Sequence, residues 1–156
     1  MTDLTIQIES QAVQAELARL QHVAVNMQPV MNAIGQDIRG FIDMGFRDLK
    51  SPDGINWAAL SPVTIERRTN NSDVPLNDTG VLKNSFTVNA TNNSVEVGTN
   101  AKQAAMMNFG GTKAQFPHLW GDIPARPFMP TSELPLRWEF FALLRINQYL
   151  NDDLPT

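Results

Sequence analysis

Asp78-Thr79-Gly80 is the arrangement in this chain closest to a reactive centre. The triplet carries the catalytic carboxylate of aspartic proteases, in which two such loops bring two carboxylates together to share one proton. Those enzymes continue the triplet with Ser or Thr and lead into it with an apolar strand, whereas Val81 follows and Asn77 precedes it here. The residues fit a structural task better, with Asp78 capping a helical turn at Val81-Leu82-Lys83 and Gly80 relaxing the backbone. An aspartic-type protease built on Asp78 is therefore the enzymatic alternative and not the main expectation. His22 lies beside Gln21 in a helical pattern and His118 in a Pro-rich segment, so neither has a partner at metal-ligand spacing. Ser61 and Ser85 lack the setting of a nucleophile elbow, and the Gly98-Thr99 and Gly110-Gly111 pairs read as turns and not as phosphate cradles. Asp53, Asp73, Asp122 and the Asp152-Asp153 pair sit in separate segments without the alternating oxygen ligands of a calcium loop. The absence of cysteine excludes disulfides, thiolate zinc sites and thiol nucleophiles. No catalytic, cofactor-binding or metal-binding residue is expected.

Charge narrows the partners in the same way. Acidic residues outnumber basic ones by 16 to 12, and Arg67-Arg68 is the longest basic cluster. Nothing here neutralises a run of phosphates, so specific nucleic-acid binding is not expected, although an acidic wall lets DNA pass without holding it. No run approaches the roughly 18 apolar residues of a membrane span. Met1 to Glu9 has neither the basic start nor the apolar centre of a signal peptide. A soluble protein made in a cytoplasm is expected, and no membrane partner.

The 156 residues, 42% of them hydrophobic, suit one domain over 1–156. Leu4, Ile6 and Ile8 alternate with polar residues, the period of a strand. N-terminal helices are expected over 10–50. In the first, capped by Ser10, Val13, Leu17, Leu20 and Ala24 share a face. In the second, capped by Asn26 and with Pro29 in its first turn, Val30, Ile34, Ile38, Phe41, Ile42 and Leu49 form the stripe, while Gln36, Asp37, Arg39, Asp43 and Arg47 face away. Pro52-Asp53-Gly54 is turn chemistry and ends it. An irregular stretch with one helical turn near Val63 to Arg68 follows. Alternation at Phe86, Val88 and Ala90, then at Val95 and Val97, with Asn92-Asn93 between, predicts a β-hairpin over 85–98. Ala101 to Asn108 reads as a short helix closed by Gly110-Gly111, whose lack of Cβ permits a left-handed residue. A Pro-rich arm over 112–130 precedes a C-terminal helix over 132–150 with Pro135 in its first turn. The fold class is α+β, a small antiparallel sheet packed against two or three helices.

Two features exceed what one small core needs. Trp138, Phe140, Phe141, Leu143, Leu144, Ile146 and Leu150 cover most of the last helix, and Trp57, Phe109, Phe116, Trp120, Ile123, Phe128 and Met129 lie outside any periodic element. Contact between subunits is favoured over burial in one core. The candidates for that interface are Phe109, Phe116, Trp120, Ile123, Arg126, Phe128, Met129 and Trp138. Pro124 and Pro127 stiffen the run from Ile123 to Phe128 into an extended bridge. Arg126 then either contacts a neighbour or ties the loop to its own subunit.

A set of residues in fixed order carries a family resemblance. They are Pro52-Asp53-Gly54, Trp57, Leu60-Ser61, Thr64, Leu76, Asp78-Thr79-Gly80, Leu82, Ser85, Val97-Gly98-Thr99, Phe109-Gly110-Gly111 and Ile123-Pro124-Ala125-Arg126-Pro127-Phe128. Together they resemble the phage virion morphogenesis family, the tail-completion proteins of Mu-like and P2-like phages. The likeness covers about Lys50 to Pro130 and is most specific in its last run. It departs from the family at Gln103, where members tend to carry an aromatic residue. The resemblance implies a non-enzymatic virion protein at the head-tail junction, or neck, assembled in the host cytoplasm. Its implied form is a homo-oligomeric, hexameric ring that meets other neck and tail proteins, with at most passive contact along the DNA path. A head-side connector adaptor or a tail-tube subunit is the structural alternative.

Overall fold

The structure, a computed structural model, describes residues 11–151, so the strand expected at Leu4 to Ile8 and the acidic pair Asp152-Asp153 lie outside the described residues. Val30, Ile34, Ile38 and Ile42 recur at four-residue steps, which places them along one face of a helix. That helix, α2 (Gln28–Asp48), is the axis of the fold. Before it comes α1 (Gln11–Val25), and after it α3 (Pro62–Arg67), a 3-10 turn (Lys83–Ser85), strands β1 (Phe86–Ala90) and β2 (Val95–Thr99), α4 (Ala104–Phe109) and α5 (Leu136–Asn151). The architecture is α+β, and the hairpin is the whole sheet among the described residues.

The start of α2 differs from the expected Asn26 cap. Met27 holds the cap position without a side-chain bond, and the first-turn N–H of Gln28 donates instead to Asn92 Oδ1 in the hairpin turn at 3.0 Å. An orphan donor is thus satisfied from a distant segment. Gly35 permits the close approach behind this contact. A Cβ there would lie 2.3 Å from Val88 Cγ1 and 2.7 Å from Val95 Cγ2, so the hairpin rests directly on the helix backbone. Asp37 and Arg39, expected to face away, are half-buried ties. Arg39 Nη1 donates to the Phe86 carbonyl at 2.7 Å, and Arg145 of α5 meets the Asp37 carboxylate at 2.6 Å.

In the hairpin Phe86 pairs with Thr99 and Ala90 with Val95, and the apolar side chains of both strands turn toward α2. Phe46, one turn beyond Ile42, sits at the centre of the core. Its ring meets those of Trp57 at 5.3 Å, Phe128 at 5.6 Å and Phe86 at 6.2 Å. Phe41 packs against the same cluster, stacks on Trp138 at 5.7 Å and holds α5 in place. Helix α5 begins at Leu136, later than the expected start at 132, because a residue before proline avoids helical geometry and so Leu134 stays outside. The Pro135 carbonyl accepts from Trp138 and Glu139 and opens the helix.

Helix α1 is formed as expected and buries little of its apolar stripe. Val23 is its one buried side chain, while Val13, Leu17 and Leu20 are exposed. No helix of the described residues is long and apolar enough to cross a membrane.

Candidate assembly surfaces

The arm folds back on its own subunit and builds a rigid edge. Gly111 and Ile123 exchange a pair of backbone bonds at 2.9 and 2.8 Å, and the Arg126 N–H donates to the Met107 carbonyl at 2.9 Å. Asn108, buried at the end of α4, accepts from the N–H groups of Phe128 and Met129 at 2.9 and 3.0 Å. This polar anchor was not evident in the sequence, since a lone Asn before a glycine turn reads as solvent-facing. Gly110 has φ 71° and ψ −177°, a region reserved for glycine and outside the left-handed helical well that was expected. A Cβ on it would lie 2.7 Å from the Ala125 nitrogen, so the Phe109-Gly110-Gly111 turn and the run through Ala125 require each other. As the prolines predict, the segment from Ile123 to Phe128 is non-helical, and it enters through the isolated bridge of Ile123 with Gly111.

This backbone carries Arg126 into the interior. The side chain is 5% exposed, Nε donates to the Ala58 carbonyl at 2.6 Å, and Nη2 donates to the Ala59 carbonyl at 2.8 Å. Arg126 therefore ties the arm to its own subunit, the second of the two roles open to it. Burial, and then the charge of Arg68, lower its pKa, and no carboxylate among the described residues pairs with it. A guanidinium stays protonated even so. Trp57 Nε1 donates to the Pro127 carbonyl at 2.6 Å, which seats Phe128 in the core.

Arg126 forms part of a groove of about 510 Å³. One wall is Leu60, Ser61 and Thr64 at the start of α3, where Ser61 Oγ accepts from the Thr64 N–H at 3.3 Å and so caps the helix. A second wall is the loop of Leu76, Asp78, Val81 and Leu82, and the others are Met107 of α4 and the arm from Trp120 to Pro124. Part of the set that carries the family resemblance, from Leu60-Ser61, Leu76, Asp78-Thr79-Gly80 and Leu82 to Ile123-Pro124 and Arg126, converges on this groove, while Pro52-Asp53-Gly54, Val97-Gly98-Thr99 and Phe109-Gly110-Gly111 lie outside its lining. Asp78 borders it but caps nothing, because the turn that follows is a 3-10 turn at Lys83–Ser85 with Leu82 in the cap position. The chain contains no second Asp-Thr-Gly loop to face it. Asp122, also at the border, accepts from the Lys113 N–H at 2.7 Å. Among the described residues no cluster of three or more His, Asp or Glu side chains is placed to hold a metal ion.

The interface candidates separate into two groups. Phe128 at 2% exposure, Trp138 and Arg126 are enclosed by their own subunit, and Met129 packs against the same core. Phe109, Phe116 and Trp120 are exposed, and Ile123 is half-buried at the groove. Phe116 meets the His118 ring at 6.1 Å, and the Arg67 guanidinium lies 5.9 Å above the Trp120 ring. The α1 stripe, whose shared face the spacing predicts, is exposed at Val13, Leu17 and Leu20. On α5 the outer residues Leu136, Phe140 and Leu143 are open to solvent, at 83%, 61% and 59%.

Comparisons with curated proteins and with solved structures return no match. The model of the phage virion morphogenesis family matches residues 8–134, a span that holds α1 to α4, the groove and the whole arm. The chain belongs to the phage virion morphogenesis family.

Proposed function

We propose that the chain is a structural virion protein that completes the tail at the head-tail junction, where copies close into a ring, hexameric to match a tail tube. Family membership supports a virion assembly role, and the observation that carries the finer reading is the large apolar surface a single subunit leaves open. Leu17 and Leu20 on α1, Leu136, Phe140 and Leu143 on α5, and Phe109 and Trp120 around the arm are uncovered in a protein of this size. Such area is covered in an assembly. Because these groups lie on several elements, they supply the two different patches that a head-to-tail ring needs. The shortage of basic clusters fits a ring around a DNA path, whose wall must not bind phosphates. Phe109, Phe116, Trp120 and Ile123 remain as interface residues in this reading, and Arg126, Phe128, Met129 and Trp138 support them from inside.

The test is a phage lacking this gene, complemented from a plasmid. Without the protein, filled heads and tails should accumulate unjoined, and micrographs of complemented particles should place the protein at the neck. Loss of tail tubes would instead identify a tube subunit, and completed tails beside leaking heads would identify a head-side adaptor. Normal joined particles without the protein would overturn the proposal.

A further inference from the structure

The groove at Arg126 has a feature that its walls do not use. Arg126 is 5% exposed and borders the groove, yet only Nε and Nη2 of its guanidinium have protein partners. The remaining nitrogen, Nη1, is bonded to nothing among the described residues and is not sealed from solvent. Arg68 borders the same groove with its Nη1 on the Val74 carbonyl at 2.7 Å and its other nitrogens unbonded. Two cations with spare donors thus share the groove with the apolar Leu60, Leu76, Val81 and Met107 and with the carboxylates of Asp78 and Asp122, neither of which forms an ion pair with them, so both guanidinium groups keep donors for a carboxylate carried beside large apolar side chains.

This chain bears that combination on its own surface. Leu136, Glu139, Phe140 and Leu143 fall at three- and four-residue steps on α5 and form one exposed stripe with a carboxylate in its middle. Glu139 has no ion-pair partner among the described residues. A groove of 510 Å³ has room for several side chains, and an amphipathic helix lays such anchors into a groove of this kind.

We propose that the outer face of α5 of one copy docks into the Arg126 groove of the next, with Glu139 directed at Arg126 and Arg68, and Phe140 and Leu143 covering Leu60 and Val81. The pairing rests on the assembly reading above and deepens it. One face is a groove and the other a helix, so the contact is head-to-tail and every copy both gives and receives, which closes a ring when the rotation permits. Part of the set that carries the family resemblance, Asp78-Thr79-Gly80 and Ile123-Pro124 among it, then lines the receptor half of the contact.

Two exposed positions test it, Val81 at the rim of the groove and Phe140 on the helix. Val81→Arg spoils the groove and leaves the helix intact, and Phe140→Arg does the reverse. Each variant alone should sediment as a monomer at concentrations where wild type assembles. Their mixture should give a one-to-one dimer that grows no further, since just one good groove and one good helix remain. Glu139→Gln should weaken assembly about tenfold, by loss of a charge-assisted bond, while Glu133→Gln should leave it unchanged. As the chain has no cysteine, a Val81→Cys/Phe140→Cys chain offers a second measurement that does not depend on disruptive charges. Mild oxidation should produce a ladder of linked oligomers, in solution or in particles. Wild-type assembly with no ladder, or with both arginine variants assembling normally, would overturn this pairing and leave the assembly reading standing. A chain without like-subunit contacts in solution and in the particle would overturn both.

Discussion

The surroundings of Phe46 and the outer face of α5 contain similar side chains in opposite situations. Phe46 and the rings of Trp57, Phe128 and Phe86 close on one another and on the arm, and polar groups brought inside bond to the backbone: Trp57 Nε1 to Pro127, Asn108 to Phe128 and Met129, and Nε and Nη2 of Arg126 to Ala58 and Ala59. On α5, Phe140 and Leu143 are as apolar and are exposed among the described residues. On the proposed assembly reading the two regions have separate tasks, the first in folding of the subunit and the second in contact between folded subunits. Substitutions in the two regions should therefore produce distinct failures.

The largest effect is expected at Phe128. Phe128→Ala removes a ring held by Phe46 and Phe86, and should cost about 3–5 kcal/mol of folding stability through lost area and a cavity. Denaturant unfolding of the purified subunit measures it, and a loss visible in assembly alone would break the division between the regions. Arg126→Ala should follow at about 3 kcal/mol, because two carbonyls lose a charged donor and a buried stem is removed. Arg67→Ala loses one exposed contact over Trp120, about 0.5–1 kcal/mol, so unfolding curves of the two arginine variants should separate clearly. Asn108→Ala should cost about 1–3 kcal/mol by orphaning the Phe128 and Met129 N–H groups, with faster hydrogen exchange at both amides as its signature. At the small end, Leu17→Ser on the open face of α1 should move folding stability by no more than about 0.5 kcal/mol.

How much of this was legible in the sequence follows the same division. The hairpin, the two long helices and the Pro52-Asp53-Gly54 stop are local, and their periods and turn residues place them to within a few positions. The family resemblance was legible too, through ordered residues whose spacing survives without the structure. The cap of α2 was not, since Asn92 reaches Gln28 from the hairpin turn and no local pattern records such a contact. Nor was the destination of loop aromatics: Trp57 and Trp120 both lie in irregular segments, yet the first is buried against Phe46 and the second is open beneath Arg67. Periodicity identifies an apolar face but not what covers it, and the α1 stripe, regular in the sequence, is exposed at Val13, Leu17 and Leu20. Phe46 was within reach, because it extends the α2 stripe by one turn from Ile42. The two readings of Arg126 were separable only once Ala58 and Ala59 were seen beside it.

The division between folding and assembly is tested most directly by a Leu136→Ser/Phe140→Ser/Leu143→Ser chain, measured for unfolding in denaturant and for complementation of a phage lacking the gene. The account predicts that it unfolds within about 0.5 kcal/mol per site of wild type, as exposed substitutions do, and yields no joined particles. Joined particles at the wild-type yield would contradict it.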